Sequence, residues 1–234
     1  GLVFISKNTH VITDEHITED QKDVVIWTTK RGIGPAYRDK YNRKGVRAEQ
    51  IPELKNYLID LYEELHSEDT SCRILFEGAQ GFGLDVDWGD YPFVTSSTCT
   101  VGAAVINGVP PSKIRNVWGI TKVYETYVGG KNFEPADPIF KHIRELGGEY
   151  GATTGRPRQC NWINTALLRK AARINGVNRV VFNKADILRK INQWKAYDVN
   201  GNLINFQDEE LMKQWMQEIL PDVQIYWSDS PDKL

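Results

Sequence analysis

The sequence is poor in cysteine: Cys72, Cys99 and Cys160 are odd in number and widely spaced. With no CxxC pair, the chain offers neither a zinc-site signature nor a disulfide framework. Long apolar runs are missing as well, and a helix that crosses a bilayer needs roughly 20 such residues in a row. The opening Gly1-Leu2-Val3-Phe4-Ile5 lacks the basic flank and long apolar core of a signal peptide. A cytoplasmic protein without membrane partners is expected. Charge of one sign is not in excess: the net charge is −2 over 234 residues, so no global basic field gathers nucleic acid. Anionic ligands have to be met by local Arg and Lys clusters. His10, His16, His66 and His142 show no triad or ligand spacing. Neither a GxxxxGK[ST] loop nor a GxGxxG loop after a strand occurs. There is no internal repeat and no low-complexity segment.

What is present is the makeup of an ordinary globular protein, 41% hydrophobic and 26% charged. Short apolar runs alternate with helical patterns. Leu2–Ser6 reads as a buried strand, and Ile51 to Leu65 has the spacing of an amphipathic helix. Arg73–Phe76 reads as a strand, Val101–Val109 as a packed helix, and Asn116–Tyr127 as a strand. Helices are predicted at Ala36–Lys44, Ile139–Leu146, Thr165–Ile174 and Glu209–Leu220, and strands at Val180–Phe182 and Val223–Trp227. A hairpin turned at Asn200-Gly201-Asn202 is predicted over Gln193–Ile204. The alternation implies an α/β fold, a mostly parallel central sheet flanked by helices with a small hairpin excursion, in a single domain over residues 1–234.

Two segments carry the most chemistry. Gly151-Ala152-Thr153-Thr154-Gly155-Arg156-Pro157-Arg158 is a small-residue loop with two hydroxyls and two guanidinium groups. Such a loop suits carboxylate or phosphate, because backbone N–H groups come close and Arg grips two oxygens at once. Asn183-Lys184-Ala185-Asp186 follows an apolar run and reads as a guanine reader. An ionised Asp186 accepts from both N1–H and the exocyclic amine of guanine, whereas adenine offers no such pair. A guanine nucleotide and a small acid are therefore the expected ligands. Thr28-Thr29-Lys30-Arg31-Gly32 is either a phosphate cradle or a polar loop capping the next helix, and Thr95-Ser96-Ser97 is either a second hydroxyl cluster for a ligand or an N-cap. Gln80 meets a base edge or braces its own loop.

These segments, with Thr28 to Tyr37, Phe76 to Gly81, Tyr91 to Ser97 and Ser228 to Asp232, resemble the adenylosuccinate synthetase family in order and over nearly the whole chain. The resemblance implies a P-loop-NTPase-like synthetase fold. It also implies a ligase that joins L-aspartate to IMP, driven by GTP with Mg²⁺, through a 6-phosphoryl intermediate in AMP biosynthesis. Thr29 and Thr95 would hold the IMP phosphate, and Gln80 the hypoxanthine. Arg43 would reach the nucleotide of a partner subunit in a homodimer. Thr153, Thr154 and Arg156 would bind aspartate, with Arg156 also near the IMP ribose. Arg158, Lys184, Asp186, Ser228 and Pro231 would serve GTP. The family's phosphate loop, catalytic Asp and His, and Mg²⁺ ligands would precede residue 1. On this reading the chain is the central and C-terminal part of a longer, compact synthetase, contains no catalytic or metal residue, and is inactive alone. Two alternatives are a phage-type relative acting on dGMP, and a non-catalytic binding module of the same fold.

The resemblance has departures. Lys30 stands where many members have Gly, and Pro157 and Gln159 interrupt an Arg run. Asn164 replaces an Asp, and Ser230 replaces a Gly beside guanine.

Overall fold

The computed structural model describes residues 2–67, 73–152 and 154–230. Cys72, Thr153 and Pro231 lie outside the described residues. The chain divides into two compact units, 1–114 and 115–234.

The second unit holds the apolar core. Strands β3 (Trp118–Lys122), β6 (Arg179–Asn183) and β9 (Gln224–Ser228) form an all-parallel sheet in the order β3-β6-β9. On one face Phe182 stacks on Trp227 at 4.8 Å, beside Val180 and Ile225, in a cluster closed by Phe140, Ile143, Leu188, Met212 and Met216. These last five sit on the inner faces of α5 (Ile139–Gly147), α7 (Ala185–Ile191) and α8 (Glu209–Ile219). A second sheet, β4-β5-β7-β8, pairs β4 (Tyr124–Tyr127) antiparallel to β5 (Gln159–Asn164), β5 parallel to β7 (Trp194–Tyr197), and β7 antiparallel to β8 (Leu203–Phe206). The last pair is the predicted hairpin. The predicted strand Asn116–Tyr127 is instead two strands in two sheets, because the chain passes from one sheet to the other at the buried Val123. Between β5 and β6 lies α6 (Thr165–Asn175). Asn164 caps it, its side chain accepting from Leu167 N–H at 3.1 Å. Asn and Asp cap about equally well, so this departure from the family costs the helix little.

The first unit is built differently. Its described buried apolar residues are three alanines, Ala36, Ala48 and Ala104. Beside them are buried His16, Asp20 and Asp85, so hydrogen bonds to side chains carry much of its order. In chain order it contains β1 (Ile5–Ser6), α1 (Asp14–Asp20), α2 (Ile33–Tyr41), β2 (Leu58–Ile59), α3 (Leu61–His66) and α4 (Gly102–Ile106), with β1 parallel to β2. At the start of α1, the N–H of Thr13 donates to His16 Nδ1, so the His16 Nε2–H donates to Asp39 on α2 at 3.2 Å.

Three expectations fail in this unit and a fourth holds only in part. Leu2–Ser6 pairs only at Ile5 and Ser6, and Leu2, Val3 and Phe4 are exposed, because β2 is two residues long. The helix expected over Ile51–Leu65 is broken into a 3-10 stretch at Pro52–Tyr57, then β2, then α3. The break falls at Asp60, whose carboxylate caps α3 through Tyr62 N–H and pairs with Lys7. Arg73–Phe76 is irregular and exposed, and no strand of the described residues pairs with it. The predicted helix over Val101–Val109 is shorter, and its Val105 and Ile106 face solvent.

One carboxyl gives the fold a distinct pH dependence. Burial pushes Glu125, on β4, up to about 7, against the opposing hydrogen bond from Asn164 N–H. Between the ordinary carboxylate range and pH 7 the native state then holds a proton that the unfolded chain has released. This contribution therefore falls as pH rises through that window. Glu125→Gln is expected to be about 2 kcal/mol more stable than the wild type at pH 8 and no more stable at pH 4.5. Denaturant titrations at the two pH values check this; parallel pH profiles for the two proteins would contradict it. Asp85 and Asp23, held low by backbone N–H donors despite burial, and Glu209, drawn to about 2 by Arg189 on α7, act oppositely. Their stabilisation is lost as pH falls below 4.

Candidate functional site

In the first unit, the loop after α1 is shaped by two aspartates. Asp23 accepts from the backbone N–H groups of Val25, Ile26 and Thr28 at 3.0–3.3 Å. Asp20 accepts from Thr28 Oγ1 at 2.9 Å and from Gly32 N–H at 2.8 Å. The Thr28 hydroxyl is thus committed to the loop, and Thr29 is left exposed at its crest. A second loop is built around Asp85, which has no exposed surface. Its carboxylate accepts from the N–H groups of Asp87, Trp88 and Cys99 and from Thr98 Oγ1, at 2.6–3.1 Å. This loop carries Thr95, tied through its N–H to Leu84 C=O at 2.8 Å. Ser96 Oγ lies 3.5 Å from where a Cβ on Gly34 would stand. The Thr29 and Thr95 loops are therefore neighbours at the N-terminal end of α2, a setting that favours anions.

In the second unit, β3, β6 and β9 end level. Lys122 pairs with Asn183, and Asn183 with Ser228. The carboxyl ends of parallel strands are where open α/β sheets bind ligands. Lys184 follows β6 and donates from Nζ to Gly147 C=O at 2.9 Å. Asp186 is half-buried in the first turn of α7 and pairs with Lys190 at 3.1 Å. Asn183 Oδ1 is buried with no hydrogen-bond partner. Ser228 Oγ donates to Ser230 C=O at 2.8 Å, and Arg189 ties this segment to α7 through Asp229.

The 150–157 loop is a small hairpin. Gly151 N–H donates to Arg156 C=O, Gly155 N–H to Gly151 C=O, and Arg158 N–H to Glu149 C=O. Thr154 Oγ1 accepts from Arg156 N–H at 3.3 Å. Pro157 fits because it pairs with Tyr150 at the hairpin's base. Gln159, where an Arg is expected, binds the N–H groups of Phe133 and Glu134 and the C=O of Lys131. Its job here is to hold that connection to β5.

Backbone conformation singles out the same places. Six described non-glycine residues have positive φ: Trp27, Lys30, Arg43, Gln80, Lys184 and Asn192. Asn192 after α7 and Arg43 after α2 are ordinary left-handed helix ends, the latter with Arg43 N–H donating to Lys40 C=O and Lys44 N–H to Asp39 C=O. Gln80 and Lys184 are candidate ligand residues, and Trp27 and Lys30 flank Thr29. Each such conformation costs on the order of 1–2 kcal/mol, and strain of this kind concentrates at functional sites. It also explains why glycine suits position 30, where φ is 58; nothing in the structure explains the lysine that stands there.

Motif reading missed the organisers: Asp20, Asp23, Asp85, and the buried Glu149 described below. Among the described residues no three His, Cys, Asp or Glu side chains converge as a metal site. No described helix is long and apolar enough to cross a membrane.

A parallel sheet whose strands end level, with loops following those ends, defines the α/β class of ligand-binding folds. Comparison with known sequences supplies the particular family. The adenylosuccinate synthetase family model matches residues 1–66 and 48–224, and the chain belongs to that family. Adenylosuccinate synthetase of Thermodesulfovibrio yellowstonii is 35% identical over 283 residues, covering 97% of this chain and 66% of that protein. The chain thus spans just under two thirds of that relative, and the alignment, longer than the chain itself, opens gaps in it. Among solved structures, fully ligated adenylosuccinate synthetase from Plasmodium falciparum shares the fold with a TM-score of 0.85 at 24% identity, covering 97% of this chain and 76% of that one. Cyanophage S-2L succinoaminodeoxyadenylate synthetase, bound to dGMP and dATP, matches with a TM-score of 0.74 at 21% identity, covering 98% and 67%.

Proposed function

We propose that the chain is the central and C-terminal part of a cytoplasmic, homodimeric ligase that joins L-aspartate to IMP at the expense of GTP. The observation that carries this reading is the placement of the strained residues. Within a chain of this family, the backbone departs from its easy conformations at Gln80 and Lys184 and on both sides of Thr29. Thr29 and Thr95 hold the IMP phosphate, Gln80 meets the hypoxanthine, and Arg43 reaches the partner subunit's nucleotide. Thr153, Thr154 and Arg156 receive the aspartate carboxylates, with Arg156 also near the ribose. Arg158 faces the GTP side, Asp186 and Lys184 read guanine, and Ser228 and Pro231 close over the base.

The chemistry fits these parts. The purine 6-oxo group leaves poorly. Transfer of the γ-phosphoryl group to that oxygen releases GDP, and attack of the aspartate amine on C6 then expels phosphate. Such transfers depend mainly on positioning and charge neutralisation, which hydroxyls and guanidinium groups provide. GTP travels as its Mg²⁺ complex, but the described residues offer no donor set for the ion, and no role of theirs above runs through it.

The test is Asp186→Asn, read by calorimetric titration. An amide here turns one acceptor into a donor that faces the exocyclic amine of guanine. GTP binding is expected to weaken about 100-fold, in line with the cost of an unmatched polar group in a specificity site, with IMP changed less than twofold. Xanthosine triphosphate, which carries an acceptor at that position, should gain. Equal losses for GTP and IMP would contradict the guanine role, and a wild-type preference for dGMP over IMP would favour the phage-type reaction.

A further inference from the structure

Among the described residues Glu149 is the one fully buried acid of the second unit, and no role above uses it. Its side chain is 2% exposed. Oε2 accepts from Lys122 Nζ and from Arg158 Nη1, each at 2.7 Å, and Oε1 accepts from Tyr124 Oη at 2.8 Å. Its backbone closes the base of the 150–157 hairpin, donating to Arg144 C=O and accepting from Arg158 N–H. The hydroxyl of Tyr124 reaches it only because residue 147 is glycine: a Cβ there would lie 2.4 Å from Tyr124 Oη. The carbonyl of that same Gly147 receives Lys184 Nζ.

Two features argue against a simple packing role. Burying one carboxylate with two cations is rarely a gain over apolar packing of the same volume. Burial indeed draws Lys122 below its ordinary range, although it holds the carboxylate. Arg158 is also only partly enclosed. One guanidinium nitrogen is fixed by Glu149, while the side chain remains 30% exposed. The carboxylate thus fixes the aim of a cation whose remaining donors stay open to a ligand.

We infer that Glu149 is a positioning residue for the Gly151–Arg158 loop, acting through Arg158 and through the hairpin base. The inference deepens the aspartate-binding reading and rests on it, so its test includes a readout that needs no ligand. In the 234-residue chain, Glu149→Gln is expected to speed amide exchange at Gly151 and Gly155 about tenfold while leaving the amides of β6 and α8 unchanged. Because the loosened loop carries Thr154 and Arg156, it is expected to weaken aspartate binding about tenfold. Combined with Arg158→Ala, it should add nothing at the loop amides beyond Arg158→Ala alone. Tyr124→Phe, which removes one donor and keeps every charge, should show the same local pattern at a few-fold. If Glu149→Gln does not fold, the Tyr124→Phe amides decide. Unchanged loop amides, additive effects with Arg158→Ala, or faster exchange throughout 115–234 would overturn the positioning role. Local loosening in a chain that binds no aspartate would keep that role and sink the substrate assignment.

Discussion

Asp85→Ala is expected to lower the stability of the 1–114 unit by about 4 kcal/mol, the largest effect of any single replacement considered. The carboxylate is wholly buried and accepts from three backbone N–H groups and one hydroxyl. Hydrogen bonds to a charged group contribute about 1.5–3 kcal/mol each, and each buried donor left alone costs about 1–3 kcal/mol. Relaxation and entry of water recover part of that sum. Little else in the unit compensates, since its described buried apolar residues are alanines. Asp85→Asn should fall between, because one oxygen becomes a donor facing other donors. Asp87→Ala, at an exposed neighbour, should change stability by less than about 0.5 kcal/mol. Denaturant unfolding of the three variants checks the order. A loss below 1 kcal/mol for Asp85→Ala would show that the loop is not built on that side chain.

Gly32→Ala comes next, with an expected loss of about 3 kcal/mol and a displaced Thr29 loop. The backbone there has φ +79, where an L side chain is disfavoured by about 1 kcal/mol. An added Cβ would also lie 2.8 Å from Ile12 Cγ2 and 2.9 Å from backbone atoms of His16 and Ile17. The side-chain contact can yield, but the two backbone contacts belong to α1 and cannot move without it. The shift would also pull Gly32 N–H from Asp20. Gly155→Ala is the control: its φ is +64 but no atom of the described residues lies within 4 Å of the new atom, so only the conformational cost of about 1 kcal/mol should appear. Equal losses for the two would show that the close approach at Gly32 has no weight.

Much of the second unit was legible in the sequence. The apolar spacing of 139–147, 165–175 and 209–219, and the Asn-Gly turn at 200–202, are local signals, and the structure follows them. The first unit was less legible because its signals compete. The spacing at 51, 54, 58, 61 and 65 suits a helix, but Pro52 and the capping Asp60 divide it. The apolar runs at 2–4 and 73–76 look like strands, yet pairing depends on partners that composition does not reveal. Thr29, Gln80, Thr95, the 151–158 loop and Asp186 stood out by residue type and loop position, whereas Arg43, Ser228 and Pro231 came only from the family resemblance. Their organisers were hidden for another reason. The partners of Glu149 at Lys122 and Tyr124 are 27 and 25 positions away, and no local pattern joins them. Asp23 and Asp85 did leave a trace, since each accepts from N–H groups two and three residues on. That is the Asx-turn habit of a short acid opening a loop.

The most direct test of the guanine-nucleotide reading is a paired titration of the 234-residue chain with GTP and ATP, followed at individual backbone amides. GTP should bind at least about 100-fold more tightly, with its largest shifts at Lys184, Ala185 and Asp186. Equal affinity for ATP, or shifts that leave residues 183–186 untouched, would contradict it.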